Sequence, residues 1–180
     1  MNVCVFCGSS TGGDDSYRAA AAEAGHLIAA GGHTLIYGGG NIGLMGIIAD
    51  SVLSHGGNVI GVIPDFLMNR EVGHLGLTEL VVVQSMHERK KKMAELADVF
   101  MALPGGWGTL DELAEILTWR QLGLIHQPIG ILNVHSFFSP LLGQMKAMAE
   151  EGFLHPTNLN FLLVEDSPQK LLTSLGVVPV

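Results

Sequence analysis

Residues 99–112 read V-F-M-A-L-P-G-G-W-G-T-L-D-E and lead from an apolar strand, through a glycine-rich turn, into a helix. Val99–Leu103 is continuously apolar, and apolar side chains then recur at helical spacing over Leu110–Leu117. The three glycines of the turn let the backbone come close to a ligand, and the first free N–H groups of the helix point at that ligand. The helix dipole adds a partial positive charge there. This stretch predicts an anion-binding loop with an acid, Glu112, one turn inside the helix.

Strand and helix patterns alternate in the same way along the rest of the chain, with glycine-rich turns between them. We predict an α/β fold of the doubly wound class, in which a parallel sheet of about seven strands is covered by helices on both faces. The predicted strands are Val3–Phe6, Thr34–Tyr37, Asn58–Ile63, Leu80–Val83, Asp98–Leu103, Pro128–Asn133 and Phe161–Val164. The predicted helices are Asp15–Ala30, Leu44–His55, His87–Ala97, Thr109–Leu122, Phe138–Glu151 and Pro168–Leu175. We expect one domain over residues 1–180, a length that can bury a full core.

In a doubly wound sheet, ligands bind beyond the carboxyl ends of the strands, where the strand order reverses. We expect three loops to meet at this edge: Gly8–Ser10 after the first strand, Gly38–Asn41 after the second and Gly105–Thr109 after the fifth. All three are rich in glycine or small residues, so their backbones can lie close to a shared ligand.

The second loop also supports a competing interpretation. Gly38, Gly40 and Gly43 have the G-x-G-x-x-G spacing of dinucleotide sites, and Asp65 follows the next strand, where an acid that binds ribose is expected. An NAD(P) enzyme normally also needs a substrate domain, for which 180 residues leave no room. We therefore favour a small phosphorylated ligand and expect no cofactor.

Composition narrows the possible partners. The net charge of −8 argues against a general nucleic-acid surface, which needs basic groups facing the phosphates. We expect no membrane association and a cytoplasmic location, because no apolar run approaches the ~18 residues of a membrane span and the first residues do not resemble a secretion signal. Apolar residues make up 48% of the chain and charged residues only 14%, which predicts that part of the surface is buried against another subunit.

Cys4 and Cys7 form a C-x-x-C within or next to the first predicted strand. Residues three apart in a strand point to opposite faces, and no second Cys or His pair at zinc spacing follows. The eight histidines are scattered, without an H-E-x-x-H grouping. We therefore expect neither a metal site nor a redox pair.

Basic residues are concentrated at Arg89–Lys92, which holds four of the nine Lys and Arg residues. Four neighbours on a helix point in four directions, so at most one or two of them can face a given site. The alternative for each is an ordinary solvated position on the helix surface, which we favour for Lys91 and Lys92.

Four motifs together resemble the LOG (Lonely Guy) family of cytokinin riboside 5′-monophosphate phosphoribohydrolases. They are C-G-S-S at 7–10, Y-G-G-G-N-I-G-L-M-G at 37–46, M-H-E-R-K at 86–90 and P-G-G-W-G-T-L-D-E at 104–112. The resemblance runs from the first strand to about Phe138. It implies a Rossmann-like fold, a homodimer or larger assembly, and hydrolysis of the N-glycosidic bond of nucleoside 5′-monophosphates such as N6-prenylated AMP. The family also carries the label lysine decarboxylase, which we discount because the sequence shows no sign of a pyridoxal phosphate site.

The resemblance also implies roles for individual residues. Arg89 and Glu112 match the catalytic pair of the family. Positions that match substrate contacts are Glu71, Arg89, Lys90, Gly105, Gly106, Trp107, Gly108, Thr109, Leu110, Asp111, Glu112 and Thr118, and further loop contacts are expected at Ser9, Gly39 and Gly40. Trp107 stands where the family usually has Tyr or Phe, which keeps an aromatic ring.

Each catalytic residue has a purely structural alternative. Thr109 and Glu112 fit T-x-x-E, a capping box in which the glutamate bonds the backbone N–H of the N-cap residue. Arg89 could be an ordinary cation on the helix surface. In the catalytic interpretation, Glu112 stabilises the cationic anomeric carbon and takes a proton from water. Arginine cannot be a general acid, so Arg89 is expected to hold Glu112 or sugar hydroxyls, or to offset charge on the leaving base.

Three functions therefore remain open from the sequence. The first is a phosphoribohydrolase for cytokinin monophosphates and AMP. The second is a broader nucleotide 5′-monophosphate nucleosidase with the same chemistry. The third is a noncatalytic carrier of a nucleotide or of molybdenum cofactor, against which the pairing of Arg89 with Glu112 argues, because a carrier needs the anion-binding loop but not the acid.

Overall fold

The computed structural model describes residues 1–178, which contain seven strands and six α-helices; an α-helix follows every strand except β3. The strands are β1 Asn2–Phe6, β2 Thr34–Tyr37, β3 Asn58–Pro64, β4 Glu79–Val83, β5 Val99–Ala102, β6 Ile129–Leu132 and β7 Leu162–Glu165. The helices are α1 Asp15–Ala30, α2 Gly43–Ser54, α3 Met86–Leu96, α4 Trp107–Gln121, α5 Ser139–Glu150 and α6 Pro168–Ser174. Every predicted element is present, and the boundaries differ by at most two residues. The last two positions of the predicted domain, 179 and 180, lie outside the described residues.

All seven strands form one sheet in the order β4-β3-β2-β1-β5-β6-β7, and every neighbouring pair is parallel. The chain builds outwards from β1 to one edge, then returns to the other side of β1 with β5. Val3 is in register with Val99 and Phe6 with Ala102, so β1 and β5 end level with one another. The strand order therefore reverses between β1 and β5, and the ligand-binding edge lies at their carboxyl ends.

Helices cover both faces of the sheet, as predicted for a doubly wound fold. One apolar cluster packs α1, α2 and α6 onto the sheet, and the other packs α3 and α4 onto the opposite face. Cys4 belongs to the second cluster and Cys7 to the first, so the two thiols are on opposite faces and both are free. Residues 1–178 contain no group of three or more His, Cys, Asp or Glu that could hold a metal ion.

Helix α4 begins two residues earlier than predicted, and this excludes the capping box. Its first residue is Trp107 and its N-cap is Gly106, so Thr109 already lies inside the first turn. Thr109 is buried, and no side chain caps the helix. The capping prediction was wrong because glycine at the turn lets the helix start directly after the loop, which places Glu112 too far along the helix to reach the N-cap.

The connection from β3 to β4, residues 65–78, is the part of this edge that the sequence patterns did not describe. It contains a short 3-10 helix, Asp65–Leu67, followed by turns. Its middle is bonded to the loop after β2: the Asn41 N–H donates to the carbonyl of Glu71 at 3.0 Å, and Gly40 forms an antiparallel bridge with Gly73. We call residues 65–78 the β3–β4 segment. No described helix is both long and apolar enough to cross a membrane.

Candidate active site

A cavity of about 200 Å³ opens at the carboxyl ends of β1, β2 and β5, where the strand order reverses. The loops after these three strands and the β3–β4 segment surround it. Its lining residues are Val5, Cys7, Gly8, Ser9, Gly38, Met45, Leu67, Glu71, Met86, Arg89, Gly106, Trp107, Gly108, Thr109 and Glu112. The prediction that three small-residue loops meet at this edge is confirmed.

Backbone bonds join the first loop to the third loop and to α2. The Gly8 N–H donates to the carbonyl of Pro104 at 3.1 Å, and the Leu44 N–H at the start of α2 donates to the carbonyl of Gly8 at 3.0 Å. A Cβ on Gly105 would overlap Thr109 Oγ1 and would lie 2.9 Å from the Gly8 nitrogen. Only glycine therefore allows this close packing of the two loops against the first turn of α4.

The start of α4 forms one wall of the cavity and is suited to binding an anion. The cavity is lined by Gly106, Trp107, Gly108 and Thr109. No side chain accepts a capping hydrogen bond from the N–H groups at the start of the helix. Unpaired N–H groups and the helix dipole together favour a negatively charged ligand. The Trp107 ring is 87% exposed at the mouth of the cavity.

Arg89 is buried, with only 4% of its surface exposed, so the surface-cation alternative was wrong. Its Nε donates to the carbonyl of Val62 at 3.1 Å, and its Nη2 donates to the carbonyl of Gly38 at 2.7 Å and to Glu71 Oε2 at 3.1 Å. A Cβ on Gly38 would overlap this Nη2 atom. Nη1 donates to the Met86 sulfur at 3.9 Å, so one N–H of Nη1 is left for a ligand.

Glu112 is the second buried charged residue of the cavity, at 8% exposure. Burial raises its pKa from 4.5 to about 7; the Arg89 charge opposes this shift, and the charges of Glu71 and Asp111 add to it. The ion pair of Arg89 is made with Glu71 and not with Glu112. Glu112 is therefore a carboxyl group that can hold or release a proton near neutral pH.

Some of the expected substrate contacts lie away from this cavity. The Lys90 ammonium group pairs with Asp111 Oδ2 at 3.1 Å and with Glu115 Oε2 at 3.2 Å. Thr118 donates to the carbonyl of Ala114 at 2.8 Å and lines a separate apolar groove, and Leu110 lines that groove too. In the single chain, the lining of the cavity does not include the expected contacts Lys90, Gly105, Leu110, Asp111 and Thr118.

The loop after β2 contributes less surface to the cavity than we expected. Of this loop, Gly38 lines the cavity, whereas Gly39 and Gly40 lie beneath the β3–β4 segment. Ser9, from the loop after β1, lines the cavity as expected. A Cβ on Gly40 would be 2.9 Å from the Met45 methyl group and 3.1 Å from atoms of Glu71. The protein itself therefore covers the backbone that a dinucleotide would approach, which argues against the G-x-G-x-x-G interpretation.

Cys7, Met45, Leu67 and Met86 line the cavity but were not among the expected site residues. Cys7 begins the C-G-S-S motif and Met86 begins the M-H-E-R-K motif, so the motifs that identified the family could have indicated both residues. Leu67 lies in the β3–β4 segment, which has no periodic pattern. Burial raises the pKa of the Cys7 thiol above its ordinary value, and the nearby Glu112 charge raises it further, so this thiol is neutral and unreactive.

Two further spaces adjoin the anion-binding loop. A cavity of about 280 Å³ lies across Gly105 and Gly106, between Ser10, Tyr17 and Phe137. A larger apolar groove of about 630 Å³ runs between α4, α5 and the 3-10 helix before β7.

Comparison with known proteins assigns the family. A family model described as "Possible lysine decarboxylase" matches residues 45–175. The cytokinin riboside 5′-monophosphate phosphoribohydrolase LOG1 of Arabidopsis thaliana is 46% identical over 173 residues, which cover 96% of this chain and 81% of that protein. The chain belongs to the LOG family. The LOG enzyme of Oryza sativa subsp. japonica is 44% identical over 173 residues, covering 96% of this chain and 72% of the rice protein. The predicted resemblance is confirmed.

Two solved structures share the fold of this LOG protein at lower identity. The Moco carrier protein from Chlamydomonas reinhardtii has a TM-score of 0.72 at 19% identity, covering 97% of this chain and 94% of that chain. The molybdenum cofactor binding protein from the phototrophic bacterium Rippkaea orientalis has a TM-score of 0.68 at 23% identity, covering 93% and 89%. Both confirm the Rossmann-like doubly wound fold and nothing further.

Proposed function

We propose that this LOG protein hydrolyses the N-glycosidic bond of cytokinin riboside 5′-monophosphates, and of AMP, to release the free base and ribose 5-phosphate. The observation that supports this most directly is the position of Glu112. It is a buried carboxyl group with a raised pKa, in the same cavity as a fixed arginine and an open helix N-terminus. An acid, a fixed cation and an anion site within one cavity are the groups that hydrolysis of a ribotide requires.

The phosphate binds at the start of α4 in this proposal. The N–H groups of Trp107, Gly108 and Thr109 and the helix dipole supply the attraction, and the Thr109 side chain is buried beside them. Phosphate binding is remote from the bond that breaks, so its energy can orient the ribose without stabilising the ground state at the reacting carbon.

The reacting carbon then lies against Glu112. Departure of the base leaves positive charge on the anomeric carbon, the same problem that arises in glycoside hydrolysis. An ionised Glu112 stabilises this charge and takes a proton from the attacking water, while the C–N electrons leave with the purine. The departing purine then gains a proton from Glu112 or from solvent, which gives the free base and restores the balance of protons. With a pKa near 7, the carboxylate is basic enough to accept that proton and is still largely ionised at slightly alkaline pH.

Arg89 is a binding group in this proposal and does not transfer protons. Carbonyls of two strand ends and the Glu71 carboxylate hold three of its five donors, so its position is set by the sheet edge. The Nη1 N–H that does not face the Met86 sulfur can bond a ribose hydroxyl or the leaving base. Glu71 acts with it as a charge partner and as an acceptor for sugar hydroxyls.

A noncatalytic carrier of a nucleotide or of molybdenum cofactor is the second candidate, supported by the shared fold of the molybdenum-cofactor proteins. It does not account for Glu112, because a buried acid next to an anion site weakens anion binding and is useful only for chemistry.

An amino-acid decarboxylase is disfavoured by Lys90. Desolvation alone would lower the pKa of Lys90, but its bonds to Asp111 and Glu115 outweigh this and raise it. A Schiff-base lysine needs the opposite shift.

Three further parts of the proposal concern the whole protein. Residues 1–180 form one nucleotide-binding domain, it acts in the cytoplasm, and it assembles as a homodimer or larger homo-oligomer. Exposed large apolar side chains support assembly, since Leu122, Leu124 and Phe153 are 65%, 67% and 88% exposed. Exposed apolar surface of this kind marks interaction sites.

The deciding experiment follows base release from N6-isopentenyl-AMP, AMP, CMP and the matching nucleosides by chromatography. We expect adenine-type bases and ribose 5-phosphate from the monophosphates, and far slower reaction of the nucleosides, which lack the phosphate. Equal rates with CMP would favour the broader nucleosidase. Tight nucleotide binding without base release would favour the carrier and contradict the proposal.

A further inference from the structure

The β3–β4 segment supplies Leu67 and Glu71 to the cavity, yet residues 65–78 contain little regular structure. The segment folds back on itself, because the Glu71 N–H donates to the carbonyl of Leu67 at 2.8 Å and the Gly73 N–H donates to the carbonyl of Met68 at 2.9 Å. Val72 has a φ of 48°, a left-handed conformation that is unfavourable for a β-branched residue. Such a conformation persists only where the surroundings hold it.

His74 is the buried residue that fixes this segment to the rest of the fold. It is 7% exposed, and its backbone N–H donates to the carbonyl of Gly39 at 2.9 Å. Its Nδ1 accepts the Gly76 N–H at 3.1 Å, so the ring proton is on Nε2, which donates to Asp50 Oδ1 at 3.0 Å. Asp50 lies on α2, and its side chain is 69% exposed.

We infer that His74 is a positioning residue: by bonding Asp50 on α2, it holds the β3–β4 segment in place and so keeps Glu71 against Arg89 at the cavity. This inference rests on the proposed function, because it assigns the purpose of the contact to that reaction. Arg89 itself does not depend on the segment, since the carbonyls of Val62 and Gly38 hold it from the sheet. Loss of His74 therefore displaces Glu71 while Arg89 stays in place.

The contacts divide the segment into a part that faces substrate and a part that anchors it. Glu71 reaches inwards to Arg89, at 3.1 Å, and three residues later His74 reaches outwards to α2. Between them, the bridge from Gly73 to Gly40 joins the segment to the loop after β2. The His74–Asp50 pair thus adds a side-chain anchor to α2 beside the backbone bonds that join the segment to the loop after β2.

Three single variants test the pair: His74→Ala, Asp50→Ala and Asp50→Asn. We expect His74→Ala and Asp50→Ala to lower kcat/KM for N6-isopentenyl-AMP by on the order of tenfold, as a displaced positioning group does. Asp50→Asn keeps an acceptor oxygen for His74 and should stay within about twofold of the unmodified protein. Asp50 is exposed, so its alanine variant folds even if His74→Ala does not. A loss in Asp50→Asn as large as in Asp50→Ala would overturn the inference.

A double-mutant cycle with Glu71→Gln separates positioning from plain stability. If His74 acts through Glu71, His74→Ala should cost little further activity in the Glu71→Gln background, because the displaced carboxylate is already gone. Multiplicative losses would mean that His74 has only a structural role, and would overturn the inference.

Hydrogen exchange provides a readout that does not depend on activity. In Asp50→Ala and His74→Ala, amides of residues 65–78 should exchange on the order of tenfold faster, while those of the sheet keep their rates. Unchanged exchange in the segment, or faster exchange everywhere, would contradict a local anchor. If the unmodified protein releases no base, the proposed function fails, and exchange of the segment alone decides whether the pair anchors it.

Discussion

Two opposing effects act on the pKa of the Glu112 carboxyl group. It is nearly buried, which favours the neutral form, and it lies near a guanidinium group, which favours the ionised form. Burial has the larger effect and leaves a pKa of about 7. Strongly shifted carboxyl groups in clefts are characteristic of catalytic acids and bases, and Glu112 has this property.

Glu112→Gln should lower kcat for base release by about a hundredfold or more, as expected for the loss of a general base. Nucleotide binding should persist, because the phosphate contacts lie at the start of α4. Initial rates and isothermal titration calorimetry measure the two effects separately. Glu95→Gln, on the outside of α3, makes the same chemical change at an exposed site and serves as the control. A Glu112→Gln variant with full activity would contradict the assignment.

The raised pKa of Glu112 also predicts how activity and stability depend on pH. A general base must be ionised, so kcat/KM should fall about tenfold per pH unit below about 7. The folded protein holds this proton up to about pH 7, whereas the unfolded chain releases it near 4.5. The free energy of unfolding therefore decreases as pH rises from 4.5 to 7, by roughly 3 kcal/mol from this group.

Glu112→Gln removes the loss of stability that comes from ionising the buried carboxyl group, so it should raise the melting temperature at pH 8 and leave it unchanged near pH 4. Thermal denaturation of both proteins at the two pH values checks this. A variant that is less stable than the unmodified protein at pH 8 would mean that the carboxylate has a stabilising partner.

At the scale of elements, the site depends on how closely strand ends approach α3. Gly38 directly follows β2 at the point where Arg89 reaches across from α3, and no space remains for a Cβ beside Nη2. The same requirement applies at Gly105, where the loop meets the first turn of α4. Glycine at these two positions provides clearance, which is a different role from the flexibility that turns require.

Gly38→Ala should therefore displace the Arg89 guanidinium. We expect kcat/KM to fall by on the order of tenfold or more, and stability to fall by roughly 1–3 kcal/mol from overpacking. Gly13→Ala is the matched control, since a Cβ at Gly13 has no atom within 4 Å. Steady-state kinetics and chemical denaturation measure both quantities. Unchanged activity in Gly38→Ala would show that the position of Arg89 does not matter for the reaction.

At the scale of the molecule, the distribution of apolar surface is uneven. The groove of about 630 Å³ beside α4 and α5 is lined mainly by leucine and methionine, and α5 contributes no buried residue in the single chain. Thr118 and Leu110, two expected substrate contacts, lie on this groove and not on the cavity. A second subunit packed against the groove would bury this surface.

We expect gel filtration of the 19.1 kDa chain to show a dimer or larger assembly. Met148 lines the groove and is 40% exposed, so Met148→Glu should place a charge in the interface and shift the protein towards monomer. Val82→Glu adds the same charge at a 47% exposed position on β4, at the sheet edge, and should leave the assembly intact. A stable monomer of the unmodified protein at micromolar concentration would contradict this prediction.

Local sequence patterns were enough to predict the fold and the edge of the sheet at which a ligand binds. Buried parallel strands are continuous apolar runs, surface helices repeat every three to four residues, and glycine marks the turns, so each element is encoded locally. The placement of three loops at one edge then follows from the rules of doubly wound sheets. The motifs around Arg89 and Glu112 identified the family for the same reason, because each lies within a few consecutive residues.

The surroundings of Arg89 and Glu112 became visible in the folded molecule and could not be predicted from the chain. It showed Arg89 buried and paired with Glu71, Glu112 free of a capping bond, and Lys90 turned towards Asp111 and Glu115. It also placed Leu67 at the cavity through the β3–β4 segment. These contacts join residues far apart in the chain, and burial and charge depend on distances in space, which no local sequence pattern encodes.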